Sequence, residues 1–181
     1  SRTPVRIEIG GGATDVEPYS SDHGGYVINV TINLFLRSIL NRRSDESIRV
    51  FSNDTFTSYH YKNIEHLELT EQPKDLIRAI LFYLQPRFGM DVYITGDPPK
   101  KAGLGASAAL STSLIGGIQK LSGSMISCDE IAEKAYHAEQ ACLKTKGADR
   151  TNMHQYMAIL TEWNFWEEKT LRQGAKNFRI L

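Results

Sequence analysis

The spacing of apolar residues changes along the chain, from a period of two up to Tyr61 to mostly helical spacing from Leu76 onward. PVRIEI and YVINVTINLFL alternate as strands do, and IRVFS and TSYHY predict two shorter strands. Helical spacing follows in LIRAILFYLQPRF, GASAALSTSLIGGIQKL and SCDEIAEKAYHAEQACL, with one more strand pattern, MDVYITGD, after the first of these. A run of strands with helices behind them favours an α+β fold over a regular β-α-β alternation.

Several boundaries can be predicted from the same patterns. The second strand is expected at Val27–Leu36, after a long turn-rich loop, GGGATDVEPYSSDHGG. The first long helix should stop near Pro86, because proline cannot continue a helix. Ser127 and Glu130 have the spacing of a capping box and predict the start of the last helix.

The composition restricts the class of partner. The chain has 181 residues, a formal net charge of zero and no apolar run of about 20 residues. A balanced charge argues against a nucleic-acid or membrane surface, so the expected partner is a small molecule. The two scattered cysteines, Cys128 and Cys142, are typical of free thiols in a reducing compartment, so the expected compartment is the cytoplasm.

The stretch PPKKAGLGASAAL has the features of an anion site. Gly103 and Gly105 permit unusual backbone angles, and the helix after them opens with the small residues Ala106–Ala109. A helix N-terminus offers free N–H groups to an anion, and Lys100 and Lys101 lie just upstream. A tight turn before a closely packed helix is the alternative interpretation.

A second glycine-rich stretch, RIEIGGGATD, follows the first strand. Arg6 lies inside the strand, and Thr14 and Asp15 come after the three glycines. The glycines let the backbone approach a polyol, and the Asp15 carboxylate can accept hydrogen bonds from sugar hydroxyls. A turn capped by Asp15 is the alternative.

Together the two stretches resemble the signatures of the GHMP kinases, the superfamily of galactokinase, homoserine kinase and mevalonate kinase. The first stretch is similar to the pattern of the heptose 7-phosphate kinase branch, R-A-P-L-R-I-S-F-A-G-G-G-T-D, then H-G-G and N-x-x-I. GLGASAAL is similar to that branch's G-L-G-S-S-S/A-A. The resemblance runs from Arg2 to about Gly147 and implies a fold like ribosomal protein S5 domain 2, with a mostly antiparallel sheet and helices on one face.

The resemblance also implies roles for individual residues. ATP phosphates would be held by Lys101, Gly103, Leu104, Gly105, Ala106, Ser107 and Ala108. Ala106 departs from the usual serine, which would weaken phosphate contacts slightly. Mg²⁺ would be bound by Ser107 and Glu139, although a solvated helix charge is the alternative for Glu139. Arg6 would lie near the transferred phosphoryl group as a catalytic residue.

The sugar would be bound by Gly11, Gly12, Thr14, Asp15, His23 and Gly24, with a structural role as the alternative for His23. The implied chemistry is in-line phosphoryl transfer from ATP to the anomeric hydroxyl of a heptose 7-phosphate. Two alternatives stay open. One is a fucose- or galactose-type kinase, and the other is a non-catalytic remnant that binds nucleotide or sugar.

The segment after Gly147 departs from the branch. A G-G-x-Q-D-Q-Y segment, whose Asp is the usual catalytic-base candidate, should follow the helix of Glu139, but the chain reads GADRTNMHQYMAILTEWNFW. In a shifted reading frame, Met153–His154 must give Ala and Trp163–Asn164 must give Glu, both where the branch has them. We therefore expect an N-terminal kinase domain over 1–147, a frameshifted tail over 148–181, no C-terminal domain and no activity. A divergent but genuine segment is the alternative.

Overall fold

A computed structural model describes residues 1–14, 18–53, 56–67, 76–99 and 101–144, with side chains to residue 140. The described strands are β1 Arg2–Gly10, β2 Ile28–Arg42, β3 Ile48–Ser52, β4 Thr57–Tyr61 and β5 Met90–Gly96. The described helices are α1 Tyr19–His23, α2 Leu76–Leu84, α3 Ala106–Leu121 and α4 Cys128–Lys144. The predicted boundary at 147 and the predicted tail lie outside the described residues.

The strands form one sheet in the order β1-β2-β5-β3-β4. Neighbours pair antiparallel except β3 and β5, which run parallel. The chain reaches β5 through α2, which gives the long connection that a parallel pair needs. The expected mostly antiparallel sheet is confirmed.

The core lies between one face of this sheet and the helices. Ile48 and Val50 of β3 and Val92 of β5 are fully buried and pack with apolar residues of α2, α3 and α4. Each such side chain contributes roughly 1.5–3 kcal/mol through burial. On the other face Phe51 and Tyr93 are partly exposed and stack on each other. The helices therefore cover one face of the sheet, as expected for the α+β class.

Helix α3 packs very closely on β2 because its residues are small. A side chain at Gly117 would collide with Leu40 of β2. Nearby, the Ser113 hydroxyl donates a buried hydrogen bond to the Ser38 hydroxyl, with 3.1 Å between the oxygens. The small residues of this helix thus have a packing role. Within the part of the chain that the structure describes, no helix has the length and apolarity to cross a membrane.

One predicted boundary and one predicted loop were wrong. Strand β2 continues past Leu36 to Arg42, because residues 36–42 pair with β5, a distant segment that local alternation does not reveal. The predicted loop contains the short helix α1. At the end of this helix the Gly24 N–H donates a hydrogen bond to the Ser20 carbonyl at 3.0 Å.

The capping box at the start of α4 is confirmed. The Ser127 N–H donates to the Glu130 carboxylate at 2.7 Å, and the Glu130 N–H donates to the Ser127 hydroxyl at 3.2 Å. Two N–H groups that the helix leaves unpaired are satisfied in this way. The cap fixes where α4 begins, and α4 carries Glu139 toward α3.

Candidate active site

The turn between β5 and α3 has the backbone geometry of a glycine-dependent loop. Gly103 and Gly105 have φ values of 71° and 68°, in the left-handed region that other residues avoid. Gly105 is the N-cap of α3, which begins at Ala106. The first turn of such a helix has N–H groups without intrahelical partners, and these favour an anion.

Strand β1 lies directly against this loop. The Arg6 N–H donates to the Leu104 carbonyl at 3.1 Å, and the Leu104 side chain packs on the cluster of Val5, Leu36 and Ala109. A Cβ on Gly105 would lie 3.5–3.6 Å from the Cγ, Cζ and Nε atoms of Arg6. The structure therefore brings Arg6, from the start of the chain, beside the predicted phosphate loop.

Ser107 and Glu139 also meet at this end of α3. The Glu139 side chain comes from α4, is 9% exposed and is hydrogen-bonded to the Ser107 side chain. Burial raises the pKa of the Glu139 carboxyl to about 7, although the hydrogen bond from Ser107 opposes this shift. The alternative of a solvated helix charge is thus wrong for Glu139, because its carboxyl is buried.

The oxygen atoms of this pair fit a magnesium ion. Oε2 of Glu139 is buried and has no hydrogen-bond partner within the described residues, so a cation would satisfy it. The described ranges contain no cluster of three or more His, Cys, Asp or Glu side chains. Mg²⁺ usually takes one or two protein oxygens and completes its shell with water and substrate phosphates. Ser107 and Glu139 are therefore suited to that ion.

The glycine-rich loop after β1 is held by its own threonine. Gly11 has a φ of 80°, and a side chain there would collide with the Tyr26 carbonyl. The Thr14 hydroxyl lies 2.7 Å from the Gly11 carbonyl and accepts a hydrogen bond from the Tyr26 N–H at 3.1 Å. In this structure the hydroxyl of Thr14 serves the loop itself, and its predicted sugar contact stays a prediction.

The other predicted residues are distributed as follows. Asp15 and Lys100 lie outside the described residues. Lys101 and Ser107 are exposed, whereas Ala108 is buried in the core. His23 is exposed at the end of α1, where its ring lies 4.9 Å from that of Tyr19. Gly12 and Gly24 are exposed in the loops on either side of α1.

Two further residues contact Arg6 and were missed by the sequence reasoning. The Arg6 Nη1 donates to the Asn29 side-chain oxygen at 3.2 Å, and the Glu8 carboxylate lies 3.7 Å from the same nitrogen. Glu8 and Asn29 are opposite each other in the β1–β2 register. The alternation within β1 was the available signal for Glu8, and the N-x-x-I motif was the signal for Asn29. Only the pairing register of β1 with β2 shows that the two residues lie together beside Arg6.

Comparison with known proteins agrees with this geometry. Residues 73–155 match the family described as "GHMP kinases N terminal domain". The chain is 29% identical over 172 residues to a D-glycero-alpha-D-manno-heptose 7-phosphate kinase of Campylobacter jejuni, covering 92% of this chain and 50% of that protein. It is 31% identical over 163 residues to a galactokinase of Glaesserella parasuis, covering 87% of this chain and 40% of that protein.

A solved structure shares the fold. The chain superimposes with a TM-score of 0.72 on a D-glycero-D-manno-heptose 1-phosphate kinase from Bacteroides thetaiotaomicron, with 23% identity, covering 87% of this chain and 52% of that one. The chain spans about half the length, or less, of the curated relatives that it matches. Residues 73–155 thus match the N-terminal domain family of the GHMP kinases, the chain is similar in sequence to sugar kinases, and it shares the fold of one such kinase.

Proposed function

We propose that residues 1–147 form the ATP- and sugar-binding domain of a sugar kinase that transfers the terminal phosphoryl group of ATP to the anomeric hydroxyl of a heptose 7-phosphate. The observation that carries the proposal is the meeting of three features at one end of α3. These are the left-handed Gly103–Gly105 turn, the Arg6 side chain beside it, and the Ser107–Glu139 pair. They come from distant parts of the chain, and each suits a triphosphate or its cation.

The residues divide the work of phosphoryl transfer between them. The loop and the first turn of α3 bind phosphate oxygens through backbone N–H groups. Ser107 and Glu139 would hold Mg²⁺, which would supply neutralisation of phosphate charge. Arg6 places a positively charged guanidinium beside Gly105. Because this reaction needs mainly positioning and charge neutralisation, such an arrangement supplies much of what it requires.

The sugar is assigned to the loop after β1. The backbone at Gly11 and Gly12 is fixed by Thr14 and open to a ligand, since Gly12 is exposed. Asp15 follows that loop directly and would accept hydrogen bonds from hydroxyls, while His23 would line the pocket. The similarity to a heptose 7-phosphate kinase supports a heptose phosphate as the substrate.

A galactose-type sugar is the second candidate. It is favoured by the similarity to a galactokinase, which is slightly higher in identity although it covers less of the relative. A heptose 7-phosphate carries a second phosphate and galactose does not. Preference between the two sugars therefore separates the candidates.

The test is a kinase assay with a panel of sugars. The 181-residue chain would be compared with a version in which the reading frame after Gly147 is restored and the downstream half is supplied, using ATP, Mg²⁺ and heptose 7-phosphate, galactose or fucose. We expect turnover of heptose 7-phosphate by the restored version and none by the 181-residue chain, because it lacks the D-Q-Y segment that offers a base. Preference for galactose would favour the second candidate.

Equal turnover by the two versions would contradict the frameshift hypothesis. If neither version phosphorylates any sugar but both bind nucleotide, the result would favour the alternative of a non-catalytic remnant. The DNA sequence over codons 140–181 is the simplest independent check of the frame.

A further inference from the structure

The Arg6 side chain is long, flexible and buried, and its direction has to be fixed by its neighbours. Arg6 is 4% exposed, and its stem and guanidinium lie beside Gly105. A guanidinium carries five N–H donors in a rigid plane, so a rotation of that plane redirects all of them together. Whatever sets the plane of Arg6 therefore decides which N–H groups point toward the phosphate loop.

One terminal nitrogen of that guanidinium has two partners of different chemistry. Asn29, on β2, accepts a hydrogen bond from Nη1 at 3.2 Å. Glu8, two residues after Arg6 on β1, places a carboxylate oxygen 3.7 Å from the same nitrogen, and its side chain is 32% exposed. The shorter contact is thus with a neutral amide, and the charged group is farther away and partly in solvent.

We propose that Asn29 is a positioning residue for the phosphoryl transfer proposed above, and that its amide oxygen helps to hold the Arg6 guanidinium in its position beside the phosphate loop. The inference rests on the proposed function. A neutral acceptor suits this task because it fixes the direction of the guanidinium without neutralising its charge. A carboxylate at the same place would fix the direction but would compete with the phosphates for that charge.

The partial exposure of Glu8 fits the same arrangement. A pair at 3.7 Å that is partly in solvent is screened, so Glu8 offsets only part of the charge of Arg6. Glu8 thus partly compensates the buried cation, whereas Asn29 contributes the directional hydrogen bond. Substitution of Asn29 should therefore change what Arg6 does rather than whether the strand forms.

The first test follows Arg6 directly, in the 181-residue chain and without nucleotide. The Nε–H signal of Arg6 would be observed by NMR and assigned with an Arg6→Lys variant. In Asn29→Leu, which has similar volume but no acceptor, we expect its exchange with solvent to be faster by about tenfold, because a guanidinium that has lost one acceptor opens more often. Asn29→Asp, which keeps an acceptor oxygen, should retain slow exchange.

The matched control is Asn41→Leu. Asn41 is an exposed asparagine of the same strand, at the end that pairs with β5. This variant should leave the Arg6 signal unchanged, and the Arg37 signal serves as a check that each variant is folded. An unchanged exchange rate for Arg6 in folded Asn29→Leu would overturn the proposal.

The second test is a double-mutant cycle on binding of Mg²⁺·AMPPNP, measured by calorimetry. We expect Asn29→Leu to weaken binding by about tenfold when Arg6 is present and by less than about twofold in an Arg6→Ala background, since coupled residues are not additive. Equal losses in both backgrounds would show that Asn29 is merely structural and would overturn the proposal. If the unaltered chain binds no Mg²⁺·AMPPNP, the proposed function fails for this chain, and the NMR result alone decides the role of Asn29.

Discussion

The carboxyl group of Glu139 lies where ionisation is costly. Its pKa is raised to about 7 by burial, from an ordinary value of 4.5. Resemblance assigned this residue to the site, but helical spacing alone could not distinguish it from the exposed Glu133 of the same helix. Burial of Glu139 depends on how α4 packs against α3, which the local sequence does not state.

A pH-dependent stability follows for Glu139. Below about pH 4.5 the carboxyl is protonated in both the folded and unfolded chain, and no penalty applies. As the pH rises, the unfolded chain ionises first, so folding stability falls until the pH passes about 7. Glu139→Gln should remove this loss, which is on the order of 3 kcal/mol.

Urea unfolding at pH 5 and pH 8 would measure the effect. The difference in unfolding free energy between the two pH values should be smaller in Glu139→Gln than in the unaltered chain. Glu133→Gln, on the same helix with a side chain 63% exposed, is the matched control and should behave like the unaltered chain. If Glu139→Gln and Glu133→Gln show the same pH dependence, the burial penalty is wrong.

Ala13 offers a second prediction for a single residue. Its φ is 64°, in the left-handed region where a Cβ costs roughly 1–2 kcal/mol. Ala13→Gly should therefore raise the unfolding free energy by about 0.5–1 kcal/mol, after the greater freedom of glycine in the unfolded chain is subtracted. Ala102, an exposed loop alanine without a positive φ, is the control, and Ala102→Gly should lose stability in the same thermal or urea experiment. Equal changes in the unfolding free energy for Ala13→Gly and Ala102→Gly would contradict backbone strain at Ala13.

Among the secondary-structure elements, those with a local signal were predicted well and those ended by distant pairing were not. The start of α4 has a complete signal, because Ser127 and Glu130 cap it within four residues of sequence. The end of β2 has none, because Arg42 is in the strand only by pairing with Met90. The short helix α1 was missed because YSSDH has no apolar period to reveal it.

The capping box gives a prediction for α4. Ser127→Ala should lower the unfolding free energy by about 1 kcal/mol, because the Glu130 N–H loses its acceptor. Ser58→Ala, at an exposed position of β4, is the matched control and should change stability by less than about 0.5 kcal/mol. Both would be compared by urea unfolding at one pH. A loss no larger for Ser127 than for Ser58 would show that the cap does not stabilise the helix.

In the whole molecule, the candidate site is built from contacts between distant segments. The two glycine-rich signatures were recognisable in sequence, but the position of Arg6 beside Gly105 follows from the backbone hydrogen bond between β1 and the loop at Leu104. The pairing of Arg6 with Asn29 follows from the β1–β2 register. Such contacts are set by the sheet order, in which β5 inserts between β2 and β3, and local periodicity carries no information about that order.

The central claim is that the turn before α3 binds the phosphates of ATP. Calorimetry of Mg²⁺·AMPPNP with the 181-residue chain tests it, using Gly105→Ala beside Gly123→Ala. Both glycines have left-handed backbones, with φ values of 68° and 81°, so both substitutions strain the chain alike. Gly105→Ala should weaken binding by at least about tenfold, because the strain falls on the left-handed N-cap that directs the first N–H groups of α3. Gly123→Ala, at the far end of α3, should bind as the unaltered chain does. Equal affinities for the two variants would contradict the claim.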